Sequence, residues 1–545
     1  MTMSTPFPKE EFKARIAFEV ADKQLPSISY SLVDRDTTLA SGYIQRDDLS
    51  HEFTDKTTFR IASQSKMFTA ICLMQLAERG LVDIDADVST YIPGFAPENP
   101  FAGKNDHPDS DWVTLRKLMS HTAGMIREPQ SGHYLDDSLP SLEKMISELG
   151  HSILKLDPSK SVFSYSNAGI DIVGRVIELV SGQSFPDYLN ANVLIPIGMN
   201  DTEIISTPTI LENLAPANMW NLHGDLAAPV FDLPGPAGNI YSTMPDMERF
   251  MTCLLRGGFS PQGKSIISPK SLNLMWTVIG HRRNGVGYGL NFSISDLDGW
   301  VSVGHGGAIY GFASQFILLP NAGLGAHVIS TLDATNSISV HLADTGLRYA
   351  LAARNTGAAP ALRHRYSEIS ATQFKSFPGV YENLQSGELV QVVKHGRNLY
   401  LLGDGMPLQI KPKSETEFGI DGRLYSEGSL YDHLNLEFPD TDKMVWKKQE
   451  WRKTDPVEDS IIDPSIAPHL GEYGPDFNVT TLSVENGKLT CLIEFFYAHV
   501  CEPIGENQYK MQGTLYPDEA LELGAIGDCG KSGIRIGPMF LARRN

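Results

Sequence analysis

The sequence predicts an α/β (α+β) domain, an antiparallel sheet flanked by helices, followed by two small antiparallel β-barrel domains. Three observations carry that expectation. At 545 residues the chain exceeds what one hydrophobic core usually serves. From about residue 10 to residue 360, helical and strand patterns alternate. Beyond that point the texture changes to short strands and turns, and a set of residues recurs in the same order.

Taken in chain order, Ser27 to Tyr43 reads as two strands around the turn-prone Asp34-Arg35-Asp36. Thr58-Phe59-Arg60-Ile61 is strand-like. Met67 to Arg79 reads as a helix, with Phe68, Ile71, Cys72 and Leu76 on one side and Gly80 as its stop. Asn167 to Val180 and Met247 to Leu255 carry further helical patterns. Phe316 to Thr331 reads as two hydrophobic strands around Pro320-Asn321-Ala322-Gly323. In the C-terminal third, Gly379-Val380-Tyr381 is matched by Gly471-Glu472-Tyr473, and Gly396-Arg397-Asn398-Leu399 by Gly487-Lys488-Leu489. Pro412, Glu415 and Phe418 are matched at the same spacing by Pro503, Glu506 and Tyr509. These matches predict two tandem all-β modules. The Asp- and Pro-rich Thr454 to Ile466 is the expected linker, and the domains read as 1–362, 363–456 and 463–545.

An apolar fraction of 41% and a charged fraction of 20% describe an ordinary globular protein. The net charge of −20 argues against nucleic acid and against anionic membrane surfaces as partners. Met1 to Val20 lacks the apolar core of a secretory signal, and no run of 18 apolar residues occurs, so a cytoplasmic protein without a membrane span is expected. The cysteines, Cys72, Cys253, Cys491, Cys501 and Cys529, are odd in number and lack metal-type spacing. They fit buried free thiols in a reducing compartment, and zinc has no evident ligand set.

The first chemical element is Ser63-Gln64-Ser65-Lys66, between the strand-like Thr58–Ile61 and the following helix. Residues i and i+3 share a helix face, which sets the Lys66 amine against the Ser63 hydroxyl. A serine hydroxyl is a weak nucleophile and needs such a partner. A helix start adds free N–H groups and a positive dipole end. The string alone is weak, since Ser141-Leu142-Glu143-Lys144 repeats it inside an amphipathic helical stretch. The second element is Tyr165-Ser166-Asn167, where a tyrosine held near Lys66 can act as general base. Asn167 can hold the lysine and a substrate carbonyl. A capping asparagine beside a half-buried tyrosine would look the same, and Tyr188-Leu189-Asn190 and Tyr381-Glu382-Asn383 show how common the string is. The third element, His305-Gly306-Gly307-Ala308, is expected to begin a strand after Val301-Ser302-Val303. Its glycines let substrate approach the backbone, and the Ala308 N–H with that of Ser63 can form an oxyanion hole. His305 can meet substrate or Tyr165. A glycine-rich turn with an exposed histidine is the competing reading.

In this order and spacing the three elements resemble class C β-lactamases and the related D-alanine-specific peptidases and esterases. Class A relatives carry S-D-N and K-T-G in the second and third places. Phe59-Arg60-Ile61-Ala62, Leu118-Met119-Ser120-His121-Thr122-Ala123-Gly124, Ile195-Pro196-Ile197-Gly198-Met199, Gly235 to Leu255 and Tyr310-Gly311-Phe312 resemble the same family, over about residues 10 to 355. The resemblance implies a β-lactamase/transpeptidase-like domain in which Ser63 attacks a carbonyl and Tyr165, poised by Lys66, takes its proton. It implies no metal or organic cofactor, and a packing role for His121. Asp83, Asp85 and Asp87 lack the glycine and glutamate of a calcium loop and read as a solvated turn.

His305 stands where antibiotic-hydrolysing relatives usually carry lysine, which weakens recognition of a free carboxylate. The His-x-Gly form resembles that of D-aminopeptidases, D-amino-acid amidases and some esterases. A catalytic domain followed by two β-barrels is similar to the D-stereospecific aminopeptidases, in which a loop of the last domain limits the active site to small substrates. The expected substrate is a small amide or ester, including short D-amino-acid peptides. A homo-oligomer is compatible with the sequence. The alternatives are an esterase or transesterase, a penicillin-binding protein or β-lactamase with another carboxylate anchor, and a catalytically silent binding protein.

Overall fold

The structure is a computed structural model. It describes residues 5–102, 112–136, 138–221, 224–282, 286–360, 370, 373–396, 398–402, 407–421, 435–455, 463–485, 487–495, 497–512, 515–516, 519–527 and 530–544. Arg397, Cys529, the expected 362/363 boundary and residues 456–462 of the expected linker lie outside the described residues. By internal contacts the chain divides into two units, Met1–Met219 with Ala227–Pro360, and Trp220–Leu226 with Ala361–Asn545.

In the first unit the helices that matter here are α1 (Lys9–Lys23), α2 (Ser65–Glu78), α3 (Leu142–Leu149), α4 (Asn167–Ser181), α5 (Met244–Leu255) and α6 (Asn336–Ala353). The strands are β1 (Ser27–Asp34), β2 (Thr38–Gln45), β3 (Thr58–Arg60), β4 (Tyr241–Thr243), β5 (Gly280–His281), β6 (Gly287–Tyr288), β7 (Ser293–Leu297), β8 (Trp300–Ile309), β9 (Phe312–Leu319) and β10 (Leu324–Ser330). Eight of them form one antiparallel sheet in the order β2-β1-β10-β9-β8-β7-β6-β5, while β3 pairs with β4 alone. Asp34 Oδ1 accepts the N–H groups of Asp36 and Thr37, which closes the β1–β2 turn.

Helices cover both faces of the sheet. Gly346 of α6 sits against Leu32 and Phe12, whereas Gly325 of β10 sits against Val33 and Met251 of α5. Leu32 and Val33 are successive residues of β1, so their side chains leave opposite faces. The α1/α6 layer therefore lies on one side and the α5 layer on the other. The second layer continues into the main core, where α2 contributes Met67, Phe68, Ile71, Cys72 and Leu76. No helix among the described residues is long and apolar enough to cross a membrane. The described cysteines are buried thiols outside any disulfide.

The second unit holds two eight-stranded sheets. The first closes into a barrel, its last strand, Gln449–Thr454, pairing with its first, Gly379–Asn383. The second runs from Gly471–Tyr473 to Met539–Ala542 and is nearly closed by the bridge between Tyr473 and Arg543. The repeat seen in the sequence is structural. The Tyr381 hydroxyl donates to the Phe377 carbonyl and the Tyr473 hydroxyl to the His469 carbonyl, each four residues back. Gly396 and Gly487 take positive φ angles of 57° and 73° in equivalent hairpins. Pro412 faces Phe418 across its pair of strands as Pro503 faces Tyr509.

Candidate active site

Ser63 lies in a 3-10 turn, Ala62–Gln64, that runs directly into α2. The preceding Ala62 has φ 51°, a left-handed conformation that costs a non-glycine residue free energy and is common at functional sites. The turn is held by the Ser65 hydroxyl donating to Ala62 O and by Gln64 Nε2 donating to Ser314 Oγ on β9. Lys66, on the first turn of α2, is fully buried. Its Nζ donates to Ser63 Oγ at 3.2 Å, Asn167 Oδ1 at 2.7 Å and Ala237 O at 2.6 Å. The i, i+3 spacing thus produces the contact expected of it.

Tyr165-Ser166-Asn167 marks the start of α4. Ser166 Oγ accepts the Gly169 N–H as the helix cap and donates to Ile126 O. Asn167 is therefore free to turn its side chain toward Lys66. The Lys66 Nζ and Arg127 Cζ lie 5.0 and 5.2 Å from the centre of the Tyr165 ring. His121, at φ 56°, accepts the Ser166 N–H on Nδ1 and packs its ring 4.4 Å from Tyr165. Burial, with the Lys66 charge second, pushes its pKa well below the usual value, so its ring is a neutral wall of the site.

The third element differs from expectation in two ways. His305 does not begin a strand but lies in the middle of β8, and it is 3% exposed, so the exposed-turn reading fails. Its Nε2 lies 2.8 Å from the Tyr288 hydroxyl and its Nδ1 2.6 Å from Gly306 O. A carbonyl only accepts, so Nδ1 carries the proton and Nε2 accepts from Tyr288. Burial first, then the Lys66 and Arg282 charges, lower the His305 pKa to about 3. The ring is neutral, with both nitrogens engaged inside the protein and its centre 6.4 Å from that of Tyr165. The glycine demand is also internal: a Cβ on Gly307 would meet Ile61 O at 2.3 Å and Ser314 Oγ at 2.4 Å, while one on Gly306 would meet nothing nearer than Gln315 Oε1 at 3.3 Å. Gly307 thus lets β8 close onto the segment leading into Ser63. Pairing with β7 stops at Gly304, and Ala308 is exposed.

Several residues at the site carry no sequence signal. Glu128 is 3% exposed and accepts from Asn167 Nδ2 at 2.8 and 3.0 Å. Asp171, buried on α4, accepts the Ala237 N–H, and burial raises its pKa to about 8. Tyr288 and Arg282, whose Cζ lies 5.3 Å from the Tyr288 ring centre, stand beside His305. Ala237 acts through its backbone, which side-chain identity does not report. The decoy resolves as structure: Ser141 caps α3 by accepting the Lys144 N–H. Asp83 accepts the Asp85 N–H within the turn, Arg116 pairs with Asp85, and Asp87 accepts the Ser89 N–H and so caps the turn at Val88.

The Beta-lactamase family profile matches residues 12–350. The chain is 27% identical over 344 residues to Penicillin-binding protein 4 of Amycolatopsis lactamdurans, covering 60% of this chain and 86% of that one. Among solved structures, the octameric penicillin-binding protein homologue from Pyrococcus abyssi aligns with a TM-score of 0.57 at 20% identity, over 82% of this chain and 99% of that one. EstCE1, a hydrolase with promiscuous acyltransferase activity, aligns with a TM-score of 0.51 at 20% identity, over 64% and 97%. These two likenesses speak to the fold.

Proposed function

The chain belongs to the Beta-lactamase family, and from that premise we propose that this serine hydrolase forms an acyl-enzyme on Ser63 and acts on small amides in the manner of a D-aminopeptidase or D-amino-acid amidase. The observation that carries the reading is the 3.2 Å contact between Lys66 Nζ and Ser63 Oγ, with Asn167 holding the same ammonium. In the proposed reaction Ser63 attacks the carbonyl and Tyr165 takes its proton, with the Lys66 and Arg127 cations beside the ring. The Ser63 and Ala308 N–H groups receive the oxyanion. Tyr165 then protonates the leaving group and later activates water to release the acyl group. Lys66 and Asn167 position these groups, while Gly306, Gly307 and His305 shape the strand beside them. The neutral His305, in place of a lysine, supports a substrate without a free carboxylate at that point. Two eight-stranded β modules after the hydrolase domain support the aminopeptidase-like form. A homo-oligomer belongs to the same proposal.

Arg282 favours a second reading. A penicillin-binding or carboxypeptidase role needs a cation in place of the missing lysine, and Arg282 is the cation beside His305 and Tyr288. A substrate panel separates the two, comparing D- and L-aminoacyl p-nitroanilides, a short p-nitrophenyl ester and a chromogenic cephalosporin. Preference for the D-aminoacyl anilide supports the first reading. Turnover of the cephalosporin, with none of the anilides, overturns it in favour of the second.

A further inference from the structure

Lys66 is a fully buried cation whose acceptors among the described residues, Ser63 Oγ, Asn167 Oδ1 and Ala237 O, are all uncharged. Burying a charge without a counter-charge is costly, so the compensating anion has to act from beyond these contacts. Two carboxyl groups stand behind these acceptors: Asp171, which feels both the Lys66 and the Glu128 charge, and Glu128, which is bonded to Asn167. Asp171 reaches Lys66 only through Ala237, whose N–H it accepts at 3.2 Å. At neutral pH it is held largely protonated by burial and supplies little charge. Glu128 is different. Both of its oxygens accept from Asn167 Nδ2, and the amide then presents Oδ1 to the ammonium at 2.7 Å.

We propose that Glu128 is the positioning residue of this site, a carboxylate that acts on Lys66 through the Asn167 amide. The geometry gives it two effects. An asparagine amide can turn over at little intrinsic cost, and its donor end against Lys66 would repel the ammonium. Glu128, which only accepts, forces the donor end away and the oxygen toward Lys66. A carboxylate on the N–H side also polarises the amide and strengthens the bond its oxygen accepts. The chain supports this arrangement locally, since Asn167 N donates to Arg127 O and Ser166 Oγ to Ile126 O, which ties residues 126–128 to the start of α4. Other charged or titratable groups facing this centre include Arg127, paired with Glu128 at 3.3 Å, Arg282, and the neutral His121 and His305, with Tyr165 between them. This inference rests on Ser63 being the nucleophile of the proposed reaction.

The test is the pH profile of Ser63 acylation by p-nitrophenyl acetate, with Ser63→Ala as the blank, in wild type, Glu128→Gln and Glu128→Asp. Glu128→Gln removes the charge and allows the Asn167 amide to turn. The alkaline limb of the profile is expected to move to lower pH by about one unit, with kcat/KM near neutrality falling about tenfold and KM changing little. Glu128→Asp keeps a carboxylate at a longer reach and is expected to shift the limb the same way by less. It also serves as the readout should Glu128→Gln not fold by thermal melting. An unmoved limb in both variants overturns the proposal while leaving the hydrolase reading intact. Wild type that is not acylated above the blank overturns the hydrolase reading and, with it, this one.

Discussion

The Tyr288 hydroxyl donates to His305 Nε2 at 2.8 Å, and that bond removes His305 from the list of groups free to meet a substrate. The ring is pinned at its other end by Gly306 O. Replacing Tyr288 with phenylalanine leaves a buried imidazole nitrogen without its donor, at a cost of about 1–3 kcal/mol in denaturant unfolding. The His305 pKa is lowered to about 3 from an ordinary 6.5, so the unfolded chain binds the proton more tightly. The stability this histidine supports is complete above about pH 6.5 and is lost as pH falls toward 3. An imidazole NMR resonance of His305 titrating near 6.5 in the native protein would contradict this.

Gly307→Ala forces a methyl group into Ile61 O and Ser314 Oγ, at 2.3 and 2.4 Å. One of the segments must move, and Ile61 leads directly into the Ser63 turn. The expected cost is about 1–3 kcal/mol of stability together with a loss of turnover. Gly306→Ala, with 3.3 Å to the nearest atom, is expected to change both much less. Melting temperature and kcat, measured on the two variants side by side, check the contrast.

Asp171 has its pKa raised by burial to about 8 from an ordinary 3.8. The native state therefore holds the proton more tightly than the unfolded chain. The stability that goes with the protonated group is complete below about pH 3.8 and is lost as pH rises to about 8. Asp171→Asn keeps an oxygen for the Ala237 N–H and has no charge to bury. Its denaturation midpoint is expected to gain on wild type steadily across that range, and parallel pH profiles would refute the assignment.

The two S-x-x-K strings are expected to separate by function. Ser63→Ala is expected to abolish hydrolysis of D-alanine p-nitroanilide without loss of the fold. Ser141→Ala removes the cap of α3 and is expected to cost about 0.5–2 kcal/mol. Its kcat is expected to match wild type. Turnover retained in Ser63→Ala would dismiss the proposed nucleophile.

Much of the site is legible in the chain because its residues lie at element starts. Lys66 follows Ser63 by three residues at the head of a helix, and Asn167 opens another whose cap is Ser166. Such local geometry is written in spacing. Glu128 is not legible, because Arg127-Glu128-Pro129 carries no periodicity and gains meaning only where it meets Asn167. His305 shows the opposite limit: its position was evident, yet its burial and its bonds to Tyr288 and Gly306 come from strand pairing.

The sequence by itself determined the class of fold, the repeated β modules and the pairing of Ser63 with Lys66. Each of these follows from residues close in the chain or from a pattern recurring along it. The tertiary structure alone decided which carboxylate meets Asn167, that His305 is neutral and internally bonded, and that Gly307 is required by Ile61. Those outcomes depend on burial and on contacts between distant segments, and neither is encoded in the spacing of any one stretch.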